Sequence, residues 1–166
     1  MAHEPGFLIG APLTILLNRL ELHVMDGLAS SGFGDLSPAY LPMFQLIGPQ
    51  GSRVTDIARQ AGMTKQAVGY LVAYLGRHGY VRREPDPSDR RANLVVRTER
   101  GWKVNQVSRD VVLRVQAEWA QLIGEQEMTV LVGALRGLVA QLGAEYRGSV
   151  ADIEVLASHS DTSRRP

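Results

Sequence analysis

Apolar residues recur at helical spacing along most of this chain and give way to a strand-like run in one short stretch. Leu13, Leu16, Leu17, Leu20, Val24 and Leu28 follow a three-and-four rhythm, which predicts a first helix from Pro12 to about Ser30. Ser31 to Asp35 reads as a loop. Ser37 followed by Pro38 has the form of an N-cap and first helical residue, opening a second helix to about Ile47 with a kink at Pro42. Gly48-Pro49-Gln50-Gly51 is a turn with no Lys-Ser/Thr behind it, so it is not a phosphate-binding loop.

A third, short helix is expected over Thr55–Gln60 and a turn at Ala61-Gly62-Met63, after which Thr64 caps a fourth helix to His78. Ala58, Gly62 and Val68 stand where a helix-turn-helix needs a small residue at the crossing, a residue free to turn and a buried aliphatic. Gly79 is a left-handed stop. Tyr80–Arg83 and Asn93–Arg97 read as two strands, with a tip from Pro85 to Arg91 that is too long for a two-residue turn. Thr98 then caps a fifth helix with its seam at Val104, Val107, Val111, Val115, Trp119 and Leu122. A sixth follows Gly124, with Met128, Leu131, Val132, Leu135, Leu138, Val139 and Leu142 on one face. One small domain cannot cover all these stripes, so a second subunit is expected to share them. Gly133 and Gly137 suit close helix approach. Ser149 and Asp152 suggest a short last helix through Leu156, and the ends of the chain read as a loose arm and a disordered tail.

The expected fold is mainly α with a small β-wing. A winged helix-turn-helix spans 36–100, and a helical dimerisation domain is built from 1–35 and 101–157, with 158–166 a tail. Charge sharpens this picture. Between Arg53 and Lys103 eleven basic side chains face five acidic ones, a local balance of +6 in a chain of net +1, so the remainder is acidic. A polyanion is drawn to the middle and repelled from the ends. A helix entering a DNA major groove beside an arginine-bearing hairpin in the minor groove would read a duplex in two ways.

Other chemistries find little support. With no Cys there are no disulfides, thiolate metal sites or cysteine switches, which fits a reducing compartment; without a signal-peptide pattern or an apolar run long enough to span a bilayer, a cytoplasmic protein is expected. Of the four His, His3 and His159 lie in the tails and His78 at a helix end, and no two share metal-ligand spacing. Neither a nucleophile elbow nor a glycine-rich nucleotide fingerprint occurs, so no enzyme, metal or cofactor is expected.

The series Leu75, Gly79-Tyr80-Val81 with Arg83, Asp89-Arg90-Arg91, and Thr98 with Gly101 resembles the MarR family of bacterial winged-helix transcription regulators. The resemblance implies a homodimer on a pseudo-palindromic operator, usually a repressor, with half-sites roughly 34 Å apart. It also implies release by a small aromatic or anionic effector bound between the winged and dimer regions. Thr64 can meet a phosphate, Lys65 a guanine edge and Gln66 an adenine edge, and Tyr70 a phosphate or thymine methyl; Gly69 suits close backbone approach to DNA. The resemblance assigns Arg91 to the minor groove, held by a salt bridge from Asp89, with Arg90 on phosphate. Arg53, Arg82 and Arg83 are further phosphate candidates. For the effector, Arg19, His23, Met43 and Trp102 are the candidates implied. Two alternatives stay open: a winged-helix module that binds another protein, and an activator without a ligand.

Overall fold

A computed structural model describes residues 8–142 as six helices and a three-stranded sheet. The expected N-terminal arm falls largely outside the described residues, as do the short helix through Leu156 and the tail 158–166. Helix α1 spans Gly10–Ser30, two residues earlier than the sequence suggests. The expected second helix is divided: a 3-10 turn at Pro38–Tyr40 hands over to α2, Leu41–Leu46. Pro42 sits in the first turn of α2, where its missing N–H costs no bond, so it starts a helix and kinks none.

A two-residue strand, β1 (Ser52–Arg53), precedes α3 (Val54–Ala61) and was not expected from the sequence. It is too short for a period-two pattern to register. Gly62 turns the chain at φ +62°, and the Thr64 hydroxyl accepts the Ala67 N–H at 3.1 Å to cap α4 (Lys65–Arg77). Gly79, at φ +72°, sends the chain into β2 (Val81–Asp86). The return strand β3 (Asp89–Arg97) lies between β1 and β2, antiparallel to both. The ladder leaves only Pro87 and Ser88 at the tip, so the long loop expected over 85–91 is a two-residue turn.

Helices α5 (Glu99–Ile123) and α6 (Glu125–Leu142) are the last of the described elements, with α1 lying along α5. The core runs from Leu28 through Met43, Ile47, Ile57, Val68 and Leu75 to Val95, Val104 and Val115, all fully buried. The stripe expected on α6 is different: only Met128 is buried, while Leu131, Leu135, Leu138, Val139 and Leu142 are exposed, as are Leu13, Leu16 and Leu17 of α1 and Leu122 of α5. Among the described residues, a Cβ on Gly133 or Gly137 would meet open space.

Gly101 belongs to the first turn of α5, where a Cβ would run into the Tyr80 carbonyl oxygen. Backbone there has little room to yield, so Gly101→Ala is expected to destabilise the fold by about 1–3 kcal/mol in urea denaturation. An unchanged midpoint would mean that the two segments separate freely.

Candidate DNA interface

The reading elements are set by two polar joints. The first lies under α4. Tyr80 is fully buried, with its ring against Phe33 and edge-on to Phe44. Its hydroxyl donates to Asp35 Oδ1 at 2.6 Å and accepts from Arg100 Nη2 at 2.9 Å. The Tyr74 hydroxyl, on α4 itself, donates to the Asp35 carbonyl at 2.7 Å, and the Tyr74 ring stacks between Tyr40 and His78. Asp35 therefore ties the loop after α1 to α4, β2 and α5. Burial and the bond to a carboxylate push the Tyr80 hydroxyl up to about 12. Burial also works against the Asp35 carboxylate, but the Tyr80 hydroxyl and the Arg100 charge outweigh it and hold the group below its ordinary range.

The second joint lies in the wing. From Val81↔Arg97 to Pro85↔Asn93 the β2–β3 register is regular, and the next pair is Asp86↔Asp89. One step on β2 thus matches four on β3, so residues 90–92 form a bulge beside the tip. Asp86 anchors this bend. It is buried, and its Oδ1 accepts both the Ser88 N–H at 2.8 Å and the Ser88 hydroxyl at 2.6 Å. Its Oδ2 takes the Arg53 guanidinium at 2.6 Å. The Ser88 bonds, with Arg53, hold Asp86 at about 2. Asp89 does not form the salt bridge to Arg91 expected from the resemblance. Its Oδ1 accepts the Arg91 backbone N–H at 3.0 Å, and its Oδ2 lies 3.8 Å from Arg53 Nη2. The local turn captures the carboxylate, and the Arg91 side chain is exposed with no ion pair among the described residues.

At the N-terminus of α4, Lys65, Gln66 and Tyr70 are exposed. Thr64, Gln66 and Tyr70 line one shallow surface pocket of about 510 Å³ with Met63, Ala67 and Leu71. Gly69 is half-buried, yet a Cβ there would meet open space, so no packing among the described residues requires glycine. Arg82 pairs with Glu84 at 2.7 Å, and Arg83 is exposed. Arg90 lies on β3 within the bulge.

The four effector candidates do not share a cavity in this conformation. Met43 is buried in the core, because α2 turns it inward. Arg19 is exposed on α1 and its carbonyl meets His23 Nδ1 at 2.7 Å. Trp102 is covered by the Arg97 guanidinium, 3.8 Å from its ring centroid, and Arg97 itself is buried and donates to the Phe44 carbonyl at 2.8 Å. A different shallow pocket, of about 450 Å³, opens beside Arg100 and Lys103 between the loop after α1 and the start of α5. Sequence reading missed Arg97, Asp35 and Arg100, since each pairs with residues far along the chain.

This fold and sequence match known proteins. The profile of the MarR family matches residues 35–92, the segment from the Asp35 joint to the wing bulge. The match covers the winged-helix segment and leaves α1, α5 and α6 outside it. A crystal structure of MarR superposes with a TM-score of 0.70 at 21% identity, covering 89% of this chain and 99% of that one. The reduced form of MarR from E. coli gives 0.66 at 17%, covering 82% and 99%. CouR, a transcriptional repressor bound to a 23-mer DNA duplex, gives 0.61 at 23%, covering 80% and 92%. Another structure holds CouR from Rhodococcus jostii with p-coumaroyl-CoA, with a TM-score of 0.59 at 23% identity over 78% and 90% of the two chains. No curated protein matches the sequence. No helix among the described residues is long and apolar enough to cross a membrane.

Because Asp86 is held at about 2 against an ordinary 3.8, its bonds add stability above the ordinary value and lose it as pH falls through the lowered one. Asp86→Asn is therefore expected to flatten the slope of melting temperature against pH between 4 and 2. An unaltered slope would place the acid sensitivity elsewhere.

Proposed function

We propose that this protein is a homodimeric transcription regulator, a repressor that binds a pseudo-palindromic operator and is released by a small-molecule effector. The observation that carries the reading is the rigid coupling of two exposed cationic elements, the N-terminus of α4 with Lys65 and the β3 bulge with Arg91, through one sheet and its joints. In this reading α4 lies in the major groove. Lys65 meets guanine acceptors, Gln66 pairs with adenine and Thr64 and Tyr70 meet the backbone, while Arg91 enters the minor groove with Asp89 shaping its backbone and Arg90 on phosphate. Arg82 and Arg83 supply further phosphate contacts from β2.

Dimerisation is supported by the apolar residues left bare on α1, α5 and α6, an area that a water-exposed monomer would not favour. Twofold symmetry would then set two reading heads roughly 34 Å apart on matching half-sites. Repression and effector release draw support from CouR, whose structures carry DNA in one case and p-coumaroyl-CoA in the other. The effector would lie between the winged and helical parts, with Arg19, His23 and Trp102 as polar and aromatic contacts once α2 moves to expose Met43. It releases DNA only through unequal affinity for the two wing spacings.

Selection from random duplexes with the purified protein should recover inverted repeats. Recovery of no consensus would overturn the reading. On a selected duplex, Arg91→Ala is expected to weaken binding at least tenfold by fluorescence anisotropy with the dimer intact; unchanged affinity would remove the wing from recognition. Gly69→Ala should stabilise the free protein by about 1 kcal/mol through helix propensity yet weaken DNA binding. A stabilised variant that binds as well as the parent would show that no DNA backbone comes close there.

A further inference from the structure

We propose that Arg53 is a positioning residue for recognition by the wing, a strut from the root of α3 that holds the β3 bulge in the shape presenting Arg91, and not a phosphate contact. The inference rests on the DNA-binding reading above.

The guanidinium of Arg53 is committed to the wing tip. Nε and Nη2 both meet Asp86 Oδ2 at 2.6 Å, Nη2 donates to the Ser88 hydroxyl at 3.3 Å, and the same nitrogen lies 3.8 Å from Asp89 Oδ2. To reach a phosphate it would have to leave Asp86, whose side chain is 6% exposed and would stay behind without this cation. Stranding a buried charge is costly, so the exchange is disfavoured.

The bulge gives the strut something to hold. Residues 90–92 lie where the ladder skips, so strand pairing does not define their shape. Asp89 does so in its place, one oxygen on the Arg91 N–H and the other toward Arg53. Arg53 is meanwhile fixed at its own base, in register with Leu94 on β3 and one residue before α3. A continuous path therefore runs from the helix-turn-helix to the backbone that bears Arg91. Its effect is to set the distance between the major-groove and minor-groove elements before DNA arrives, which lowers the ordering cost of binding.

The test uses the full-length protein, a duplex recovered by selection, and fluorescence anisotropy. Arg53→Met is expected to weaken binding about tenfold. Arg53→Lys, which keeps a charge but loses the fork, should weaken it nearly as much. In the Arg91→Ala background, Arg53→Met should cost little more, because both act through one side chain. Full affinity in Arg53→Lys, or independent losses that multiply in the double variant, would overturn the proposal and return Arg53 to the phosphate backbone. Unchanged affinity in Arg53→Met would overturn it as well. Circular dichroism melts confirm that each variant is folded, and Arg53→Lys serves should the Met variant fail to fold. Amide exchange without DNA adds a separate reading: faster exchange at Ser88 and Arg91 in the variant supports the strut, and unchanged exchange removes it. If the wild type selects no duplex, the DNA-binding reading fails, whatever the exchange result shows of the clamp.

Discussion

Tyr80 is the point at which the separate parts of this chain become one body. Its amide closes the end of α4 on the Leu75 carbonyl, and its own carbonyl accepts the Thr98 amide and hydroxyl that start α5. Its ring fills the space between Phe33 and Phe44, and its hydroxyl is a polar atom that must be satisfied there. A buried hydroxyl without a partner costs more than a bonded one contributes, which is why Asp35 and Arg100 gather around it. The loop after α1, the reading helix, the wing and α5 are consequently held at one place, and Gly101 is the residue that lets their backbones approach.

The wing is governed by the same rule further out. Asp86 is buried near an exposed tip, and a carboxylate there persists only because Ser88 and Arg53 supply donors to both oxygens. What looks from the sequence like a loose, charged loop is a short turn with a bulge beside it. The exposed Arg91 is thus carried on an ordered base, which suits a side chain that has to find a narrow groove. The joint under α4 and the joint in the wing share no residue, and Arg53, one residue before α3, links the wing tip back to the helix-turn-helix.

The helical arms are less self-sufficient. Helix α5 buries Val104, Val111 and Val115 in the common core, with Val111 against Gly27 of α1, but of the apolar face of α6 only Met128 is buried among the described residues. Periodicity reported these faces correctly as apolar and could not say what lies against them, because a repeat of 3.6 residues is the same for a core within the chain and for a surface shared with a second copy.

Much was legible along the chain. The helix-turn-helix, the caps at Thr64 and Thr98, the turns at Gly62 and Gly79 and the basic middle all rest on neighbours within a few residues, where backbone sterics and local hydrogen bonds decide the outcome. Tertiary structure alone decided the division of the second helix, the strand at Ser52–Arg53, the register skip that makes the bulge, and the partners of Asp89 and Arg53. Arg53 and Asp86 are 33 positions apart, and Asp35 and Arg100 are 65 apart. No local preference distinguishes a solvated arginine from one that closes such a joint. The distinction arises only when folding removes a carboxylate from water and brings a distant cation against it.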